Sequence, residues 1–432
     1  MNNLYTNKFL SYNHHKNSIL LFNKYYNEYY NENKTNIESL IDIFYNKIMT
    51  VNHNIHFDNY LIHSISYEPL YHKYPIQYEY YITNIDNNVD YITFNQMINL
   101  RQIDLYNIID YTPFIQKYIK NNHNNQLIEG LNLLHNGIFI SLDIKLYVEN
   151  NMNKLVIYSF DHLDLYIYYN DQILNTTILN DLIKHIVVIS QFIYNLNPIN
   201  RIEFLYFDTL IEKQLINDNN YICSQNINSG LSSGEYIIIW RREELPKVLI
   251  HELIHYLNID IKHNNNLKSI INYNIGQYDY PILINESITE IQAQFIHTIY
   301  ILVSNKTPLI EVFKLFKIFY YLEHLFSWYQ LSKIMNYFNI VSFDDQLIKL
   351  NFNQTSNAFS YYILKPIIGL RFFDILFELR YIKKLMNDNN KCQIINIIKT
   401  CIHNKPLIMI NQMITELKYD SNSLRMTIFG YY

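Results

Sequence analysis

Residues 251–255 read His-Glu-Leu-Ile-His. On a helix, His251 and His255 stand one turn apart and project from the same face. Two neutral imidazoles so placed can take adjacent corners of a tetrahedral zinc site. Glu252, one residue on, lies beside such a metal, where it can take a proton from a metal-bound water. The neighbours Val248, Leu249, Ile250, Leu253, Ile254 and Leu257 make the segment apolar on nearly all sides, so the histidines are expected to be buried. Buried His, Glu and His within one turn need partners, and a metal ion supplies them.

A catalytic zinc takes a third protein ligand and keeps one position open. In metzincins that ligand comes six residues after the second histidine. Here the position is Ile261, which cannot bind metal, and Asp260 and His263 stand at other offsets. Further on, 284–291 reads Ile-Asn-Glu-Ser-Ile-Thr-Glu-Ile and opens a strongly helical pattern. This segment resembles the Asn-Glu-x-x-x-Asp segment of thermolysin-like gluzincins. Together with His-Glu-x-x-His, it makes residues 235–300 resemble a zinc metallopeptidase of that type.

The resemblance implies Zn2+ held by His251, His255 and Glu286. Glu290 is then the partner that orients His251, or the alternative ligand, with Glu where thermolysin has Asp. It also implies an α+β, zincin-like catalytic domain: a mixed β-sheet lobe, an active-site helix and a helical C-terminal lobe. The substrate is a protein or peptide, Glu252 is the general base, and a Tyr or His from the helical lobe donates to the oxyanion. Tyr361 and Tyr362 are the candidates, with His324 behind them. Nothing in the chain matches the Gly-x-Met-Glu-Asn segment of aminopeptidases, which favours an endopeptidase. An aminopeptidase, with Glu235 or Glu203 anchoring the substrate amine, is the alternative, as is an inactive zincin-shaped interaction protein. His-Glu-Leu-Ile-His also occurs in clostridial neurotoxin light chains, which is read as shared zinc chemistry and not shared ancestry.

The elements that must carry these residues follow a strand-then-helix order. Strand-like runs cover 137–148, 155–160, 163–169 and 201–207, and helical spacing covers 177–196. A turn at 228–234 leads to a strand at 236–240, the expected edge strand for an extended substrate. From 243 the chain reads as helices at 244–258, 283–304, 308–338, 359–385, 392–402 and 405–418. Glu243, Glu244 and Pro246 suit the N-terminus of the active helix. Residues 258–282 form an expected inserted loop. The implied division is an N-terminal region 1–130 of unknown role, with Asn-rich tracts such as 121–125, a catalytic domain 131–345 and a helical lobe 346–432. The order is that of an α+β fold.

Composition narrows the class. Of the 432 residues, 49% are hydrophobic and 17% charged, a globular balance. A net charge of -5 without a basic stripe argues against nucleic acid as partner. Three cysteines are too few for a disulfide framework, and the first residues carry no secretory pattern, which together point to an intracellular protein. The longest candidate stretch, 361–379, contains Lys365, Arg371 and Asp374, so no membrane span is expected. The chain holds 42 Tyr and only Ala293 and Ala358 as alanines. Its excess of Asn, Ile and Tyr resembles proteins of giant DNA viruses and of some low-GC microbes. That bias makes aromatic stripes poor evidence for ligand binding.

Overall fold

The computed structural model describes residues 16–54, 61–66, most of 130–215, 221–260, 282–344, most of 348–374, 396–402, 407–416 and 422–430. The Asn-rich tract 121–125, His263 and the expected loop from 261 to 281 lie outside these residues.

Six strands form one mixed sheet in the order β1-β2-β3-β4-β6-β5. They are β1 (Leu61–Ser66), β2 (Lys154–Ser159), β3 (Leu163–Tyr169), β4 (Ile202–Phe207), β5 (Gly230–Ser232) and β6 (Ile237–Ile239). β1, β2 and β3 pair antiparallel, β3, β4 and β6 pair parallel, and β5 returns antiparallel on the outer edge. Side chains alternate between two cores. Val156, Leu165, Ile167, Phe204, Ile237 and Ile239 enter the larger cluster, whereas Leu155, Ile157, Tyr168, Leu205, Ile238 and Trp240 enter the smaller one on the opposite face. Burial on both faces is why these strands read as near-continuous apolar runs.

Helix α3 (Thr176–Tyr194) makes the crossover between the parallel strands β3 and β4. The Asn175 side chain caps it by accepting from Ile178 N. The active helix α4 (Leu245–Tyr256) packs against α3, against α5 (Ile284–Ser304) and over β5 and β6. Helices α6 (Leu309–Tyr337) and α7 (Leu407–Glu416) and a π-helix, Phe359–Leu364, running into Lys365–Gly369, complete the helical side. Among the described residues no helix is long and apolar enough to cross a membrane.

Three expectations are corrected. The run at 137–148 is not a strand: Leu142–Asn151 is a helix, α2, with Ile144 and Val148, four apart, facing the smaller core. The strand at 236–240 is not an edge, since β6 lies between β4 and β5; the edge is β5, formed by residues read as a turn. The N-terminal region, read as mixed and weakly periodic with no element assigned, contains a long helix. A 39-residue helix, α1 (Lys16–Asn54), buries Tyr30, Ile37, Ile41, Tyr45 and Ile48 against α3, α5, α6 and α7. One core cluster therefore includes Tyr26 and Met426, from either end of the chain.

The last described segment is an interior strap. Met426 N and Thr427 N donate to Glu244 Oε1 (2.6 and 2.8 Å), while Met426 O accepts from Gln294 Nε2 and Lys365 Nζ (2.8 and 2.9 Å). Glu244, read as an acid at the helix N-terminus, stands there fully buried and paired with Lys213.

Candidate metal centre

Helix α4 aims His251 and His255 at the first turn of α5, from which Glu286 projects. The two Nε2 atoms are 3.1 Å apart. Glu286 Oε2 is 3.5 Å from His251 Nε2, and Glu286 Oε1 is 3.6 Å from His255 Nε2. Donors bonded to zinc at about 2.0–2.1 Å in a tetrahedron stand about 3.4 Å apart. The two Glu286 distances run to different carboxylate oxygens, and one donor atom from each of the three residues lies within 4.8 Å of the others; among the described residues this trio is the one group of His, Cys, Asp and Glu that converges so.

The outer nitrogens strengthen the fit. His255 Nδ1 meets Asp260 Oδ2 at 3.1 Å, and His251 Nδ1 lies 3.0 Å from Glu290 Oε2, off the line of a good hydrogen bond. Carboxylates at both outer positions draw the ring protons there, leaving two Nε2 lone pairs facing each other. That arrangement repels unless a proton or a metal cation lies between them. Electrostatics make the same demand. Burial pulls His255 down, but Asp260 and Glu286 outweigh it and push the ring up to about 10. His251 is likewise raised against its burial by Glu286 and Glu290. Burial raises Glu286, yet the two rings hold it well below the usual carboxylate range. A divalent ion would supply the positive charge and leave the imidazoles neutral.

Glu290 lies outside the converging trio, beside the outer nitrogen of His251. Its Oε1 is shared by Lys247, one turn before His251, and by Lys365 at 3.6 Å. These cations overcome its burial and hold it well below its ordinary value.

Glu252 lies beside the trio in a cleft of about 450 Å³ whose walls include Phe139, Gly230, Ser232, His251, Glu286 and Tyr361. Burial raises its pKa, opposed by His251 and His255 and, to a smaller extent, by the neighbouring Ser232. Gly230 packs closely here: a Cβ would stand 3.1 Å from Glu252 Cγ and 3.0 Å from Val248 Cγ1, so either side chain would have to give by a few tenths of an ångström.

Tyr361 is brought to the site. Its hydroxyl donates to Glu286 Oε2 at 2.8 Å, and burial followed by Glu286 raises its pKa well above normal. Tyr362 is not brought there, a correction to its candidacy: its buried hydroxyl donates to Leu424 O in the strap. The π-helix separates these neighbours, sending Tyr361 to Glu286 and Lys365 to Glu290. His324 is buried against Tyr320, Tyr26 and Gly369 and is absent from the cleft wall. Asp260, Lys247, Lys365 and Ser232 were missed as site residues. Lys247 alone carried a local signal, its four-residue spacing from His251.

No family model, curated protein or solved structure matches the chain.

Proposed function

We propose that the chain is a zinc-dependent metallopeptidase of gluzincin type, acting as an endopeptidase. The observation that supports it best is the convergence of donor atoms of His251, His255 and Glu286 within 4.8 Å of one another, with Glu252 beside them in an open cleft. Zinc bound there supplies a Lewis acid that acidifies water and polarises the scissile carbonyl.

The chain's own groups do the rest. Glu252, raised by burial, accepts the proton of the attacking water and passes it to the departing amine nitrogen. Tyr361, kept protonated by burial, is a donor that can turn from Glu286 to the carbonyl oxygen as negative charge develops on it. The outer edge of β5 offers backbone groups to an extended peptide, and Ser232 on that strand lines the same cleft as Glu252. Among the described cleft residues the carboxylates are Glu252 and Glu286. Neither is spare to pair with a substrate's α-amine, which favours internal cleavage over the aminopeptidase reading.

The test is hydrolysis of a peptide library, blocked and unblocked at the N-terminus, by the zinc-loaded chain and by Glu252→Gln. Cleavage of blocked peptides, reduced by at least about 10²-fold in Glu252→Gln at unchanged zinc content, is expected. Equal cleavage by both proteins, or none by the native chain across the library, rules the reading out.

A further inference from the structure

We propose that Asp260 is a positioning residue for His255, holding the ring's Nδ1 proton so that Nε2 stays turned toward the metal. The inference rests on the zinc reading above and adds to it a second carboxylate–imidazole pair, mounted quite differently from the first.

The argument starts at the end of α4. Leu257 caps the helix, and Asn258 follows with φ +52°, the left-handed conformation that Asn tolerates better than most residues. Asn258 N donates to His255 O at 3.0 Å and Ile259 N donates to Ile254 O at 2.9 Å. This pair of bonds defines a Schellman motif, with an apolar residue, Ile259, in the expected place after the left-handed one. Beyond the end of α3, Asn197 Nδ2 donates to Leu257 O at 2.7 Å and ties the reversal to the neighbouring helix.

The consequence is directional. A chain leaving α4 without reversal would carry residue 260 away from the last turn. The left-handed step brings it back, and Asp260 Oδ2 comes within 3.1 Å of His255 Nδ1 with its side chain only 14% exposed. The ring's other nitrogen faces His251 and Glu286. Asp260 therefore fixes both the tautomer and the rotation of this ligand. His251 is served otherwise, by Glu290 on the rigid α5, itself gripped by Lys247 and Lys365. One ligand is oriented from a helix and the other from a two-residue hook. The hook can be altered without unbalancing a buried charge cluster, which makes the role separable by mutation.

The experiment measures zinc affinity by competition with a chromophoric chelator, and thermal unfolding of the metal-free chain, for native protein, Asp260→Ala, Asp260→Asn, Asn258→Gly and Asn258→Val. Asp260→Ala is expected to bind zinc about 10–100-fold more weakly with its metal-free melting unchanged. Asp260→Asn, which keeps an acceptor oxygen, falls between it and the native chain. Asn258→Gly, free to adopt the left-handed conformation, keeps native affinity, whereas Asn258→Val loses it by displacing the hook. Native affinity in Asp260→Ala, or a loss matched by an equal loss of metal-free stability, overturns the positioning role while leaving the metal site standing. A native chain that binds no zinc overturns the metal reading and this inference with it.

Discussion

Glu286 faces two imidazoles whose outer nitrogens are already engaged by carboxylates, so the centre of the cleft is a place where positive charge is missing. The surrounding residues are arranged around that deficit. Glu290 balances Lys247 and Lys365 and still reaches His251. Replacing it by Gln leaves two buried ammonium groups without their carboxylate, and Glu290→Gln should cost about 3–5 kcal/mol in urea unfolding. Replacing a ligand carries no such penalty, so Glu286→Ala should lose zinc and keep most of its stability. Gly230 supplies the steric case nearest the candidate base. In Gly230→Ala the new methyl presses on Glu252 Cγ and Val248 Cγ1, and peptide hydrolysis should fall by about tenfold or more at unchanged zinc affinity, because a small misplacement of the base slows the reaction without touching the ligands.

At the level of elements, legibility depended on how much of a residue's surroundings was local. His251, His255, Glu252 and Pro246 share one helix, and their spacing alone placed them. Glu286 and Glu290 open the next described helix, so their face could be read, but not which acid would meet which nitrogen; that depends on how α4 and α5 cross. β5 was unreadable because a three-residue strand of Gly, Leu and Ser has no alternation to detect and owes its strand form to pairing with β6. α1 was missed because Asn and Tyr, weak helix formers, dilute its apolar stripe. Its stability is tertiary: Tyr45 donates to Thr307 O at 2.7 Å, and Ile41 is fully buried among α1's partners. Ile41→Ala should therefore destabilise the whole fold by about 2–4 kcal/mol, with one unfolding transition by far-UV and near-UV dichroism. Two separated transitions would show that α1 is an appendage.

Across the whole molecule, a buried charged layer joins the candidate metal site to the C-terminal strap. Glu244 bridges Lys213 and the backbone of Met426 and Thr427, while Lys365 bridges Glu290 and Met426 O. The fold also keeps neutral histidines inside. His162 is held down to about 4 by burial, and its Nε2 lies 3.0 Å from Ser190 Oγ, which donates to Val187 O. Ser190 therefore accepts from a protonated Nε2 of a neutral ring. The unfolded chain takes up this proton near pH 6.5 and the folded chain only near pH 4. Stability is thus full above about pH 6.5 and falls through that window, by on the order of 3 kcal/mol for this ring. His162→Gln should flatten the slope of urea midpoint against pH between 6.5 and 4, and an unchanged slope would contradict the burial argument. The central claim, that a divalent ion is what the trio lacks, is tested most directly by elemental analysis of purified protein dialysed against trace zinc. One zinc per chain is predicted for the native protein and for Glu252→Gln, with loss in His251→Ala, His255→Ala and Glu286→Ala. Zinc absent from the native chain, or retained in full when Glu286 is replaced, would contradict it.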